Sequence, residues 1–227
     1  MKPIEDINVK VYEAPEERVV AVSDSTQERV LYGSELMGVK LAFFDVETTG
    51  LSPAKNGIHQ ISGSIWIDGE RKETFNYKVR PNPKAIIEDE ALAIGGVTRE
   101  QVLAYIPMEE VYKELTHLLG KYVDKFKKSD KFFLVGYNNR SFDDQFLRGF
   151  FLQNGDKYFG SWFWSDSHDV LVMASVHLMR SRANLVDFKL ATVASEFGVE
   201  VDPEKLHDAS YDIEITEKIY FAILFNQ

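Results

Sequence analysis

Five residues in three separate segments of the chain have side chains that can bind metal ions or accept a proton: Asp45, Glu47, Asp143, His207 and Asp212. Four carboxylates that meet in one place repel each other unless cations neutralise them, and oxygen ligands of this kind suit Mg²⁺ or Mn²⁺. A neighbouring histidine accepts protons near neutral pH. Two such ions, about 3.5–4 Å apart, can activate a water and stabilise the leaving oxygen of a phosphodiester. The pattern therefore predicts phosphodiester hydrolysis with two divalent cations, Mg²⁺ or Mn²⁺, as cofactors.

The first acidic pair follows a buried strand. The apolar run Leu41–Phe44 predicts a strand, and residues two apart on a strand project from the same face, so Asp45 and Glu47 are expected to point the same way. The ends of strands are where α/β sheets usually place ligands. The alternative interpretation is that the acids only mark the end of the strand. It would explain either residue alone, but it explains poorly a pair of acids directly after four apolar residues.

The C-terminal pair is spaced for a helix entrance. His207 and Asp212 lie five residues apart, slightly more than one helical turn. If His207 lies in the loop that enters the helix, both side chains can face the same cations. Asp208 is expected to cap that helix. The alternative interpretation of His207 is an ordinary polar loop residue.

Three segments carry a family resemblance: residues 45–50 (DVETTG), 136–144 (GYNNRSFDD) and 206–212 (LHDASYD). In this order and at this spacing they resemble the DEDDh exonucleases, the DnaQ-like family of polymerase proofreading exonucleases, bacterial exonuclease I and oligoribonuclease. The resemblance covers about residues 40–226. The middle segment is most similar to exonuclease I, because proofreading subunits more usually have a histidine where Asn138 stands. Gln60, where many members have glutamate, favours the same branch.

The resemblance implies a 3′-to-5′ exonuclease that hydrolyses single-stranded DNA to nucleoside 5′-monophosphates. The metal ligands that it implies are Asp45, Glu47, Asp143 and Asp212, and the general base is His207. Asp144 follows Asp143 on a helix and points about 100° away, so we expect it to serve a cap that Ser141 begins. The family fold is RNase H-like α/β: a mixed five-stranded sheet of order 3-2-1-4-5, its first three strands antiparallel, flanked by helices.

Several residues near the carboxylates are candidates for binding the substrate: Thr48, Thr49, Gly50, Leu51, Asn139 and Phe142. Gly50 permits close approach of the backbone to a nucleotide, and Leu51 is placed to wedge against the terminal base. Asn139 could bond a phosphate or sugar, or could satisfy the turn between strand and helix. Residues 162–164 (WFW) could stack on bases, but a place in the core is favoured.

Two alternatives to the DNA exonuclease stay open. The first is an oligoribonuclease-like enzyme that degrades short RNA, which suits the acidic composition. The second is a non-catalytic module that binds nucleic acid or associates with a polymerase. The five intact positions argue against the second alternative.

The composition describes a globular, acidic chain. Its 227 residues carry a net charge of −10 and no cysteine, which excludes disulfides and thiolate metal sites. A long, tight nucleic-acid interface normally needs a basic surface. Four of the negative charges belong to the predicted ligands, however, and two divalent cations would cancel them. We find no apolar run of about 18–20 residues and no signal peptide, so a cytoplasmic protein with no membrane partner is expected.

The pattern of the chain changes near residue 40. Residues 1–39 are predicted to form an extension, either a short hairpin or an arm that docks a protein partner, and residues 40–227 the exonuclease domain. Strands are predicted at residues 41–44, 61–67, 74–79, 132–136 and, less regularly, 162–164. The predicted C-terminal helices cover residues 168–180, 188–197 and 209–225.

Overall fold

The computed structural model describes residues 36–206 and 208–225. Its strands are β1 (Lys40–Thr48), β2 (Ile58–Ile67), β3 (Glu70–Arg80), β4 (Ile106–Pro107), β5 (Phe133–Gly136) and β6 (His168–Asp169). Its α-helices are α1 (Asp89–Ile94), α2 (Arg99–Leu103), α3 (Met108–Gly120), α4 (Asp143–Gln153), α5 (Val170–His177), α6 (Leu190–Glu196) and α7 (Ala209–Phe225).

One mixed sheet organises these elements, in the order β4-β3-β2-β1-β5-β6. The strands β1, β2 and β3 pair antiparallel, and β5 and β6 run parallel to β1. The predicted RNase H-like arrangement and its order 3-2-1-4-5 are confirmed. The two-residue strand β4 adds an edge beyond β3, to which it is parallel, and it is too short to give a periodic signal in the sequence.

The predicted strand at residues 162–164 is wrong. Phe163 forms only an isolated bridge with Phe132, and the last strand of the sheet is β6, at His168–Asp169. Trp162 and Phe163 are instead buried in the core, as the favoured interpretation of these aromatics expected. A continuous apolar run reports burial, and burial alone does not distinguish a strand from a packed loop.

The predicted helices differ from the structure mainly in their ends. The helix predicted at 168–180 is α5 at Val170–His177, and the one predicted at 188–197 is α6 at Leu190–Glu196. The helix predicted at 209–225 has the observed bounds of α7.

The core has two layers, one on each face of the sheet. Ala42, Phe44 and Val46 of β1 pack on the side of α3 and α4. Leu41 and Phe43 pack on the other side, with α5, α6 and α7. Because side chains alternate along a strand, the odd-numbered residues that continue β1 toward its end lie on the face of α7.

The N-terminal extension is described only from Leu36, which packs into the layer of α7. The short hairpin expected within the extension lies outside the described residues, so it stays a prediction, as do the boundary at residue 39 and the docking role. In the described part of the chain, no helix combines the length and apolar character that crossing a membrane requires.

Candidate active site

The two acids of the first segment lie at the end of β1. Asp45 and Glu47 are half-buried, and both continue the face of the strand that packs on α7. Their partners across the sheet are Ser62 and Gln60 of β2. The strand and the shared face therefore agree with the spacing argument.

Asp143 joins this pair from a distant part of the chain. It is the first residue of α4, it is buried, and its Oδ1 accepts a hydrogen bond from the backbone N–H of Val46 at 3.1 Å. Val46 lies between the two acids of β1. The contact therefore brings the middle segment directly onto the first one.

Asp212 lies in the first turn of α7, the helix that packs on the same face of the sheet. Its charge reaches the β1 acids, because it raises the pKa of both Asp45 and Glu47. The structure therefore brings Asp45, Glu47, Asp143 and Asp212 together, and we call these four residues the carboxylate cluster.

The carboxylate cluster is electrostatically strained. Burial raises the pKa of Asp45 well above its usual range, and the charges of Asp143, Glu47 and Asp212 raise it further. Burial, followed by the charge of Asp212, raises the pKa of Glu47 to about 7, against a smaller lowering by Lys78. Burial also raises the pKa of Asp143 to about 7, although its bond from Val46 opposes the shift. Such a site favours a bound cation, because a cation removes the repulsion.

The arrangement of the side chains fits this chemistry only in part. The charges of Asp143, Glu47 and Asp212 raise the pKa of Asp45, yet no three His, Cys, Asp or Glu side chains of the described residues form a group that could hold a metal ion. The donor set is nevertheless all oxygen, from β1, the start of α4 and the first turn of α7, and a set of this chemistry suits a hard divalent cation.

The neighbouring acid, Asp144, has a different environment. It accepts hydrogen bonds from Ser167 Oγ at 2.6 Å and from Asn139 Nδ2 at 3.2 Å. The cap predicted from Ser141 is wrong, because α4 begins after Phe142 with no side-chain cap and Ser141 bonds back to Asn138. Asp144 therefore ties the start of α4 to the segment before β6.

The candidate substrate residues divide into buried and exposed ones. Thr49 is fully buried; its Oγ1 donates to the carbonyl of Ile86 and accepts from the N–H of Gly57. Asn139 is also fully buried, which favours the interpretation that it satisfies the turn. Leu51 is 80% exposed, as a wedge against a base would need to be.

The remaining candidates lie between these extremes. Thr48 is buried, and its Oγ1 donates to the carbonyl of Gly50 at 2.8 Å. Phe142 is half-buried beside Phe146, where α4 begins. A Cβ on Gly50 would lie 2.2 Å from Asn56 Nδ2, so this position needs glycine to keep the loop closed.

Sequence reasoning missed Asn56, which organises the loop after β1. Its Nδ2 lies within bonding distance of the carbonyls of Thr49 and Ile86 and of Glu88 Oε1, and its Oδ1 accepts from the N–H of Ser52 at 2.9 Å. In the sequence, Asn56-Gly57 signals only a turn. Long-range partners of this kind leave no local signal.

The predicted general base cannot be placed. His207 lies outside the described residues, so its role stays a prediction. The residue after it behaves as expected: Asp208 Oδ1 accepts from the N–H groups of Ser210 and Tyr211 at 3.0 and 3.1 Å, which caps α7.

Known proteins resemble this chain over most of its length. A PolC-type DNA polymerase III of Mycoplasmopsis pulmonis is 28% identical over 82% of this chain and 12% of its own length. An exodeoxyribonuclease I of Buchnera aphidicola is 25% identical over 78% of this chain and 38% of its own. The chain therefore spans well under half the length of either relative.

Solved structures and a family model agree with these relatives. The crystal structure of E. coli exonuclease I in complex with a dT13 oligonucleotide has a TM-score of 0.64 and 23% identity, over 83% of this chain and 41% of that one. This likeness supports the fold described above. The exonuclease family model RNase_T matches residues 42–220. The chain belongs to this family of DnaQ-like exonucleases.

Proposed function

We propose that this chain hydrolyses single-stranded DNA from its 3′ end and releases nucleoside 5′-monophosphates. The observation that carries the proposal is the carboxylate cluster, in which four acids from three distant segments meet at the end of β1: Asp143 bonds the backbone of that strand, and the charges of Asp143, Glu47 and Asp212 raise the pKa of Asp45. Membership of the exonuclease family supplies the reaction class.

The proposal assigns a role to each part of the site. Asp45, Glu47, Asp143 and Asp212 would hold two divalent cations, Mg²⁺ or Mn²⁺, which supply water activation and charge neutralisation to phosphodiester hydrolysis. His207, as the family resemblance implies, would accept the proton of the attacking water.

Substrate positioning falls to the loop after β1 and the start of α4. Leu51 follows Glu47 by four residues and is 80% exposed, so it would pack against the terminal base. The side chains of Thr48 and Thr49 are engaged within the loop. They would therefore act by holding the backbone near Gly50 against the terminal nucleotide. Phe142 would add an apolar edge at the entrance of α4.

DNA is the favoured substrate for two reasons. A PolC-type DNA polymerase and an exodeoxyribonuclease are among the relatives, and the solved exonuclease I carries a dT13 oligonucleotide. Short RNA is the second candidate, because a chain of net charge −10 suits a short substrate better than a long, tightly held one.

Variants of the cluster test the proposal. In D45N and D212N we expect hydrolysis of a DNA oligomer to fall at least about a hundredfold, because each loses a metal ligand. E114Q, which removes an exposed charge on α3, is the matched control and should keep full activity. Activity within tenfold of wild type in D45N would contradict the assignment. Initial rates on DNA and RNA oligomers of the same base sequence would decide between the two substrates.

We also propose that residues 1–39 dock a protein partner. A chain that lacks residues 1–35 keeps Leu36, which packs in the core, so it should fold normally. The truncated chain should lose a partner that the full chain retains in a pull-down. Identical partners for both chains would contradict the docking role. The cytoplasmic location expected from the composition stays a prediction.

A further inference from the structure

We propose that Lys78 is a built-in counter-charge of the carboxylate cluster: its ammonium, held in place by Gln60, offsets negative charge beside Glu47 before a cation binds. The inference rests on the proposed function only for the identity of the cluster as a cation site. It concerns Lys78 as a positioning residue, not as a group that touches substrate.

Strand register places Lys78 in line with the cluster. Glu47 of β1 pairs with Gln60 of β2, and Gln60 pairs with Lys78 of β3. Paired residues on neighbouring strands share a face, and the strands lie about 4.7–4.9 Å apart. Glu47, Gln60 and Lys78 therefore form a row across the face that packs on α7. The long side chain of Lys78 can bring its charge toward the acids along this row.

Hydrogen bonds fix the orientation of this row. Lys78 Nζ donates to Gln60 Oε1, and Gln60 Nε2 donates to Asn76 Oδ1 at 3.0 Å and to Ser62 Oγ at 3.2 Å. Because both ends of the buried amide are engaged, Gln60 cannot turn its oxygen away from the ammonium. Asn76 Nδ2 in turn donates to Ser210 Oγ at 3.0 Å. The row is thereby tied to α7, the helix that carries Asp212.

Among the described residues, the Lys78 ammonium forms no ion pair with an acid. Its field instead acts on the site and its surroundings, since it lowers the pKa of Glu47 and, after burial, that of His59. His59 lies one position before Gln60 and is buried, with its pKa lowered to about 4, so it is neutral at pH 7 and does not duplicate the charge.

The amide at position 60 is what keeps this charge available. A glutamate there would pair with Lys78 and cancel its charge, whereas the neutral amide holds the ammonium without neutralising it. Gln60 and Lys78 together therefore make the part of the sheet beside Glu47 one charge more positive than a Glu–Lys pair would.

A counter-charge and a cation compete for the same role. Lys78 relieves repulsion among the acids in the metal-free chain, and a bound cation relieves the same repulsion. Each positive charge therefore reduces the free energy by which the other stabilises the carboxylate cluster. Lys78 should therefore stabilise the metal-free fold and weaken metal binding. Removing its charge should have the opposite effect on both.

The test measures Mn²⁺ binding to the full chain by calorimetry, without substrate. In K78M, which keeps the aliphatic stem, we expect the dissociation constant for Mn²⁺ to fall about fivefold or more. K78R keeps the charge and should stay within about twofold of wild type. K113M removes an exposed lysine from α3, on the opposite face of the sheet, and should leave the constant unchanged. An unchanged or weaker affinity in K78M would overturn the inference.

A second measurement separates this inference from the proposed function. In EDTA, K78M should melt at a lower temperature than wild type, and this loss should shrink when Glu47 is also replaced in E47Q/K78M, because the repulsion is then already reduced. A lost hydrogen bond alone would give the same loss in both backgrounds, which would overturn the inference. If wild type bound no Mn²⁺, the cation site would fail, and this cycle alone would decide whether Lys78 is a counter-charge.

Discussion

At the scale of single residues, adjacent acids are separated by where their hydrogen bonds go. Asp143 accepts from the backbone of β1, between the two acids of that strand, whereas Asp144 accepts from Ser167 and Asn139. Both residues are buried, so burial does not tell a ligand from a structural acid. The different partners of the two side chains are what support Asp143, and not Asp144, as the proposed ligand.

Replacing these neighbours one at a time should separate activity from stability. D143N should lose at least about a hundredfold in activity while it remains folded, because it removes a proposed metal ligand. D144A should lose about 1–3 kcal/mol of unfolding free energy, because it leaves Ser167 and Asn139 without their buried acceptor, yet keep its activity per folded molecule. Chemical denaturation and initial rates would measure the two effects. The reverse pattern would show that Asp144 is the ligand.

The raised pKa of Glu47 predicts a pH dependence of stability. Its pKa in the metal-free fold is about 7, against an ordinary value of 4.5, so the folded chain holds this proton more tightly than the unfolded chain. The stability that it contributes is complete below pH 4.5 and is lost as the pH rises through about 7. His59 has the opposite sign, since its pKa is lowered to about 4, so the melting temperature of wild type alone does not isolate the effect.

The comparison of wild type with E47Q measures the contribution of the Glu47 charge, including its effect on the pKa of Asp45 and Asp143. In EDTA, E47Q should melt near the wild-type temperature at pH 4.5 and above it at pH 8, because only the wild type carries the extra charge at high pH. Saturating Mn²⁺ should remove or reverse this advantage. If the difference in melting temperature between E47Q and wild type were the same at pH 4.5 and at pH 8, the result would contradict charge repulsion within the carboxylate cluster.

At the scale of elements, the loop between β1 and β2 presents one exposed side chain on a closed framework. Asn56 and Thr49 hold the framework, and Leu51 projects from it. L51A should raise KM for a DNA oligomer several-fold and leave the melting temperature unchanged, because the Leu51 side chain is mostly in water. By contrast, N56A should lower the melting temperature, because the carbonyls of Thr49 and Ile86 lose a hydrogen-bond donor. An unchanged KM in L51A would contradict the role of Leu51 as a wedge against the terminal base.

Some elements could be predicted because local signals and packing agree. Helix α7 has its expected bounds, since an apolar pattern follows a capping residue, Asp208. The strand expected at residues 162–164 failed because its apolar character reflects core packing, and β6 is too short to show alternation. Spacing placed Asp45 and Glu47 on one face of a strand. The bond from Val46 to Asp143 joins residues 97 positions apart, and no local pattern encodes it.

The position of Lys78 shows a further limit of sequence reasoning. Ile67 pairs with Glu70 across the turn Asp68-Gly69, and Trp66 pairs with Arg71. Continued without interruption, this register would pair Gln60 with Tyr77. An irregularity between Ile65 and Trp66 shifts the register by one residue, so that Gln60 pairs with Lys78 and the lysine reaches the face of the site. A bulge of one residue therefore decides which face carries the charge.

At the scale of the whole molecule, the sheet separates two apolar layers and gathers the acids at one end of β1. The layer of α3 and α4 supplies Asp143, and the layer of α5, α6 and α7 supplies Asp212. Both meet the acids of β1, so the site depends on both layers packing against the same sheet. The net charge of −10 is partly a property of this site, and bound cations would reduce it.

The most direct test of the central claim is a time course on a DNA oligomer labelled at its 5′ end, with Mg²⁺, with Mn²⁺ and with EDTA. The carboxylate cluster predicts a ladder of labelled products that shortens from the 3′ end with either metal and is absent both in EDTA and in D45N. Three results would contradict a metal-dependent 3′-to-5′ exonuclease: cleavage that persists in EDTA, cleavage at internal positions of the oligomer, and no cleavage with either metal.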